Sequence, residues 1–115
     1  MALGQSGEEF AARYLRRKNY RILQRNFRTK IGEIDIIAST GKTLIFCEVK
    51  TRLSRAYGHP IEAVTPNKQR TIRKVAELYL AMAKDLSEFD SIRFDVISIL
   101  SEGSSFEVMH WEEAF

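Results

Sequence analysis

Residues 33–51, EIDIIASTGKTLIFCEVKT, leave this chain few options. Two runs rich in Ile, Leu, Phe and Val are separated by a short polar stretch. They read as two β-strands joined by a hairpin turn, made by Thr40-Gly41 or by the slightly longer Ser39 to Lys42. Both strands are apolar, yet each carries charge where a buried strand should carry none. Asp35 interrupts Ile34 and Ile36, and Glu48 and Lys50 follow directly on Leu44-Ile45-Phe46-Cys47.

The flanking sequence supplies the rest of a mixed α/β architecture. Ser6 and Glu9 have the S-x-x-E spacing of a capping box, which predicts a helix starting near Gly7. Its apolar stripe would come from Phe10 and Tyr14 with Leu15 or Ala11, and Asn19 would end it. YRILQRNFR, residues 20–28, alternates imperfectly and reads as a first strand. The segment from Arg52 to Val64 contains Gly58 and Pro60, has no clear period and reads as a loop. Thr65-Pro66 then opens a long helix, with Thr as N-cap and Pro at the first position. There Ile72, Val75, Ala76, Tyr79, Leu80 and Ala83 repeat at helical spacing. SIRFDVISIL is a fourth strand, EGSS a turn and FEVMHW a fifth strand. The order is α-β-β-β-α-β-β. The first three strands can form an antiparallel meander. The long helix gives enough chain for a parallel crossover to the fourth. The expectation is one domain, residues 1–115, with a mixed central sheet flanked by helices.

Composition narrows the function classes. A chain of 115 residues with 44% hydrophobic and 29% charged residues can bury a core without disulfides or structural metal. No apolar run approaches the roughly 20 residues of a membrane span. MALGQSGEEF lacks the basic and apolar regions of a secretory signal. The lone Cys47 rules out an internal disulfide and a cysteine-rich zinc site, and it suits a reducing cytoplasm. Net charge is only +3, but it is unevenly distributed. Residues 1–75 hold 16 Lys/Arg and 6 Asp/Glu, whereas residues 76–115 hold 2 and 9. Such asymmetry points to a basic face for a polyanion.

Strand alternation places Glu48 and Lys50 on one face, with Ile45, Cys47 and Val49 on the other. Across the hairpin, Asp35 falls opposite Phe46 or Glu48, depending on turn length. Either register can bring it near Glu48. Two such carboxylates repel, and burial raises the cost. A hard cation such as Mg²⁺ (or Mn²⁺) would relieve it, since Mg²⁺ takes one or two carboxylates together with water and phosphate oxygens. Lys50 would orient the attacking water or neutralise charge developing on a phosphate. As a general base it would need a lowered pKa, which the neighbouring anions oppose. The structural alternative is a partly buried ion pair of Lys50 with Glu48 or Asp35. A lone [DE]-x-K match carries no information, because roughly one is expected by chance in a chain of this length.

The pattern of an aspartate followed by Glu-x-Lys on the next strand resembles the PD-(D/E)xK nuclease superfamily, which has the restriction-endonuclease-like fold. Nearly end to end, the chain resembles the bacterial YraN-like endonuclease family within it. GEEFAARYL, GEIDIIA, FCEVKTR, VTPNKQRTI with AELYL, RFDVISI and HWEEAF match that family's motifs in order. The resemblance implies that Asp35 and Glu48 are metal ligands and Lys50 the catalytic lysine. Glu8 would join the acidic cluster, as in junction-resolving relatives. It also implies a Mg²⁺-dependent endonuclease acting on branched or structured DNA, with a homodimer needed for a symmetric junction.

Arg16, Arg17, Arg28, Lys30, Arg52, Arg55, Lys68, Gln69 and Arg73 are the candidate nucleic-acid contacts, with Lys68 and Gln69 at the start of the long helix. Tyr57 and His59 are candidates for stacking on an unpaired base. His110 and Cys47 read as structural. Asp95 is a lesser acidic candidate that could pair with Arg93 or Lys50. Two rivals have other signatures. A non-catalytic nucleic-acid-binding module would show salt-sensitive binding without cleavage. A protein-interaction domain would use the basic face on an acidic partner.

Overall fold

Helices α1 (Leu3–Arg17) and α2 (Pro66–Met82) cover opposite faces of a five-stranded sheet in the computed structural model, which describes residues 3–52 and 64–115, except for the side chains of 3–6 and 102. The strands are β1 (Arg21–Arg28), β2 (Glu33–Thr40), β3 (Thr43–Arg52), β4 (Ser91–Glu102) and β5 (Ser105–Trp111), and they lie in the sheet in chain order. β1, β2 and β3 form the antiparallel meander, β4 joins β3 in parallel, and β5 returns antiparallel. The predicted α-β-β-β-α-β-β order is the observed one.

Each face follows from residue type. On one side Phe27, Ile37, Leu44, Phe46, Phe94 and Val96 pack under Ile72, Val75 and Ala76 of α2. The ring of Tyr79 meets Phe27 and Phe46 edge-on, and Phe94 stacks on Phe46 and Phe115. On the other side Ile36, Ala38, Ile45, Cys47, Ile97 and Ile99 pack against Ala11, Ala12 and Leu15 of α1. Small alanines at the centre of that contact let the helix lie close to the sheet, while the predicted Phe10 and Tyr14 flank it, only partly buried.

Local signals explain most boundaries. Thr65 caps α2, its hydroxyl accepting from the Lys68 N–H at 3.2 Å, with Pro66 first in the helix. Asn19 ends α1 as expected, with φ at 68°. The Tyr20 N–H donates back to the Leu15 carbonyl and the Asn19 N–H to that of Arg16, closing the paired bonds of a Schellman turn. The hairpin loop is Gly41-Lys42, one residue later than the Thr40-Gly41 expectation, and Gly41 takes the left-handed conformation there, φ 56°.

Three boundaries are corrected. The Ser6–Glu9 spacing does not mark the start of α1, which already includes Leu3. Glu9 instead binds Arg25 of β1 at 2.8 Å and Arg13 at 3.5 Å. Cross-element pairing had a better use for that carboxylate than a cap. Arg52, assigned to the loop, is the last residue of β3, held in register opposite Leu100 of β4. The first strand starts at Arg21 rather than residue 20, and its imperfect alternation is a register shift between Ile22 and Gln24. The rest of the expected loop, with Arg55, Tyr57 and His59, lies outside the described residues. No helix among the described residues is long and apolar enough to cross a membrane.

Candidate functional site

The β2–β3 ladder pairs Ile36 with Cys47, so one step further along Asp35 stands against Glu48. The ladder stops there because the Asp35 side chain replaces it, its Oδ2 accepting the Val49 N–H at 2.7 Å. Alternation in β2 breaks at the same point. Ile34 and Ile37, an odd number of residues apart, both pack on the α2 side, whereas Ile36 packs on the α1 side. Both acids are buried, Asp35 at 7% exposure and Glu48 at 6%. Burial, and next the charge of Glu48, push Asp35 up to about 7, although the Val49 N–H favours its ionised form. The Glu8 carboxylate adds to this rise.

Glu8 reaches the acids because α1 comes close to the end of β3. A Cβ on Gly7 would collide with the Thr51 hydroxyl, so this approach requires glycine. The site therefore draws on both helices and two strands, with acids from α1, β2 and β3 and bases from β3 and α2.

Lys50 Nζ lies 3.5 Å from Glu48 Oε1, and Lys68 Nζ of α2 lies closer, at 2.9 Å. Contrary to the sequence argument, Lys50 has a lowered pKa. Burial is the first cause, and the adjoining Lys68 ammonium outweighs the help from Glu48. Lys68 goes the other way, since the Lys50 amine and the Glu48 carboxylate overcome its burial and hold its proton. Sequence reasoning missed this because it counted only the anions of the sheet and not the cation that the helix brings down beside them.

The donor set suits a hard divalent cation, since it has two buried carboxylates and an ammonium already standing in as the cation against one of them. No three Asp, Glu, His or Cys side chains among the described residues gather tightly enough to cage a metal on their own. Glu8 therefore acts on Asp35 at longer range than a shared ligand shell.

The remaining candidates divide into exposed and engaged groups. Arg16, Arg17 and Lys30 are exposed. Arg28 binds Glu33 at 3.0 Å, and Arg73 lies over the rings of Phe94 and Phe115. Gln69 is turned inward, its Nε2 donating to the Val64 carbonyl at 2.9 Å. Arg52 keeps one guanidinium nitrogen, Nη2, buried without a hydrogen-bond partner among the described residues. Cys47 sits on the α1 side, and burial, followed by the charge of Asp95, pushes its thiol pKa well up.

Asp95 pairs with Arg93 rather than Lys50, and its place opposite Cys47 in the β3–β4 register puts it on the α1 side. Arg93 Nε and Nη2 donate to its two oxygens, both at 2.9 Å. His110 Nε2 donates at 2.7 Å and the Glu113 N–H at 3.1 Å. His110 joins a structural network there, its Nδ1 lying 3.2 Å from the Tyr14 hydroxyl. The Arg93–Asp95 pair is legible as two residues two apart on one strand, whereas His110 and Tyr14 join it only through the β4–β5 pairing and the packing of α1.

Comparison with known proteins places the chain. Residues 7–99 match the model of the uncharacterised protein family UPF0102. A UPF0102 protein of Geobacter metallireducens is 50% identical over 114 residues, covering 99% of this chain and 92% of that one. One from Alkaliphilus oremlandii is 47% identical over 114 residues, covering 98% and 97%. Another from Syntrophomonas wolfei is 47% identical over 113 residues, covering 98% and 96%. A match across nearly the whole of each chain at this identity makes this protein a member of the UPF0102 family.

Proposed function

We propose that this protein is a divalent-metal-dependent nuclease of the restriction-endonuclease-like class, hydrolysing phosphodiester bonds in DNA and favouring branched or structured forms. The observation that carries the reading is the meeting of buried Asp35 and Glu48 on adjacent strands, with the Lys50 and Lys68 amines beside them. Asp35 and Glu48 would hold the metal. A bound divalent ion polarises the phosphodiester and lowers the pKa of its water. Lys50, with its depressed pKa, takes the proton from the attacking water or orients it. Arg16, Arg17, Lys30 and Arg52 track the phosphate backbone.

The test is cleavage of labelled junction, flap, duplex and single-stranded DNA with Mg²⁺ or Mn²⁺. Activity is expected to fall by at least about 10²-fold in Glu48→Gln. Metal-dependent cleavage that survives that change would remove the site from consideration. Lys50→Arg then separates two roles, since arginine keeps the charge but cannot release its proton. A general base predicts a loss of about 10²-fold or more, with the rise in rate at high pH abolished. A purely electrostatic role predicts near-normal rates.

One observation favours a second reading. Glu48 already has two ammonium neighbours, so the cluster is also intelligible as a closed ion-pair group in a nucleic-acid-binding module. That module would bind DNA in a salt-sensitive manner and cleave nothing in any metal.

A further inference from the structure

Two lysines compete for one carboxylate oxygen, and the one from the distant element is the closer. Lys68 Nζ is 2.9 Å from Glu48 Oε1, against 3.5 Å for Lys50, which is only two residues from Glu48 on the same strand. The two ends of the Lys68–Glu48 pair differ in freedom. The Glu48 side chain is fixed in the sheet and nearly sealed, whereas that of Lys68 is 39% exposed. The Lys68 backbone is pinned in the first turn of α2 by its bond to the Thr65 cap. Its four-carbon stem can therefore swing while the helix stays in place.

We propose that Lys68 is a resident counter-cation, which leaves Glu48 when a divalent ion binds at Asp35 and Glu48. The inference rests on the reading of those two acids as the metal pair. It explains how two neighbouring buried acids persist without metal, since an internal ammonium offsets their repulsion. It also couples two events. Metal entry frees a basic group at the rim of the site, at the start of α2, where a phosphate backbone would meet it. Lys68 thus neutralises acid in the metal-free protein and serves the polyanion in the loaded one.

The experiment is calorimetric titration of Mn²⁺ at fixed ionic strength into the wild type, Lys68→Gln, Lys68→Arg, Lys74→Gln, Asp35→Asn and Glu48→Gln. Lys74 is an exposed residue further along α2, so its variant removes the same charge away from Glu48. Lys68→Gln is expected to bind Mn²⁺ about 5- to 10-fold more tightly than the wild type and more tightly than Lys74→Gln, while Lys68→Arg stays close to the wild type. If Lys68→Gln binds no better than Lys74→Gln, while Asp35→Asn loses binding, the exchange is wrong and the metal pair stands. If Asp35→Asn and Glu48→Gln bind as the wild type does, the metal pair fails and takes the exchange with it. A second measurement needs no variant. Acylation of Lys68 by an amine-reactive reagent, followed by mass spectrometry, should accelerate several-fold on saturation with Mg²⁺ as Nζ leaves Glu48. An unchanged rate at saturation overturns the exchange.

Discussion

Asp95→Ala is expected to lower the unfolding free energy by about 3–5 kcal/mol, the range seen when one member of a buried ion pair is removed. Asp95 is fully buried and accepts four hydrogen bonds, two from Arg93, one from His110 and one from the Glu113 backbone. Burial alone would raise its pKa, but the His110 and Arg93 bonds outweigh it and hold it below the usual carboxylate range. Removing the acceptor strands the Arg93 guanidinium, which is left with Tyr20 and a longer contact to Glu112. It also removes one tie between the C-terminal turn and β4, leaving the Ala114 N–H on the Phe94 carbonyl. A small domain has only about 5–15 kcal/mol of stability in all, so this loss is large. Urea denaturation followed by circular dichroism measures it. A loss under about 1 kcal/mol would show that the network contributes little. Because Asp95 faces α1, on the other side of the sheet from Glu48, protein that remains folded should bind Mn²⁺ normally.

The second large effect has the opposite sign. Asp35→Asn should stabilise the metal-free protein at pH 8, by on the order of 3 kcal/mol, and do little at pH 4. The folded-state pKa of Asp35 is pushed up to about 7 from 3.8, chiefly by burial and the charge of Glu48. Between those values the unfolded chain has released the proton that the folded chain still holds. The contribution of this group is therefore complete below about pH 4 and is lost as pH rises through about 7. Asparagine never ionises, and its carbonyl can still accept the Val49 N–H. Unfolding curves in EDTA at the two pH values test this, and an equal difference at both would refute the pH linkage. Adding Mg²⁺ at pH 8 should stabilise the wild type and leave Asp35→Asn unchanged, because a ligand that binds only the folded state shifts the equilibrium by mass action. A site residue whose removal stabilises the protein is one kept for something other than folding.

Much of the scaffold was legible because its signals are local. The Thr65-Pro66 start of α2 needs only a cap hydroxyl and a residue without an N–H. Its buried Ile72, Val75 and Ala76 need only the helical period. The hairpin brings Asp35 near Glu48 in either expected register, but the choice of Glu48 over Phe46 was decided by the turn lying at Gly41-Lys42. The Ser6–Glu9 spacing misled because a short motif can occur by chance inside a helix, and Glu9 found Arg25 on another element.

What the sequence determined by itself was the order of elements, the hairpin that brings two acids near each other, and the helix that follows it. These follow from turn chemistry and hydrophobic period, which depend on neighbours along the chain. Tertiary structure decided which charges from distant elements join these. It brought Lys68 to Glu48 from 20 residues away, set α1 close enough for Glu8 to act on Asp35, and added His110 and the Glu113 N–H to Asp95 and Tyr20 to Arg93. Those contacts depend on sheet register and on how closely each helix lies against the sheet. In a low-dielectric interior, a shift of a few ångströms there decides which lysine keeps its proton and which carboxylate takes one up.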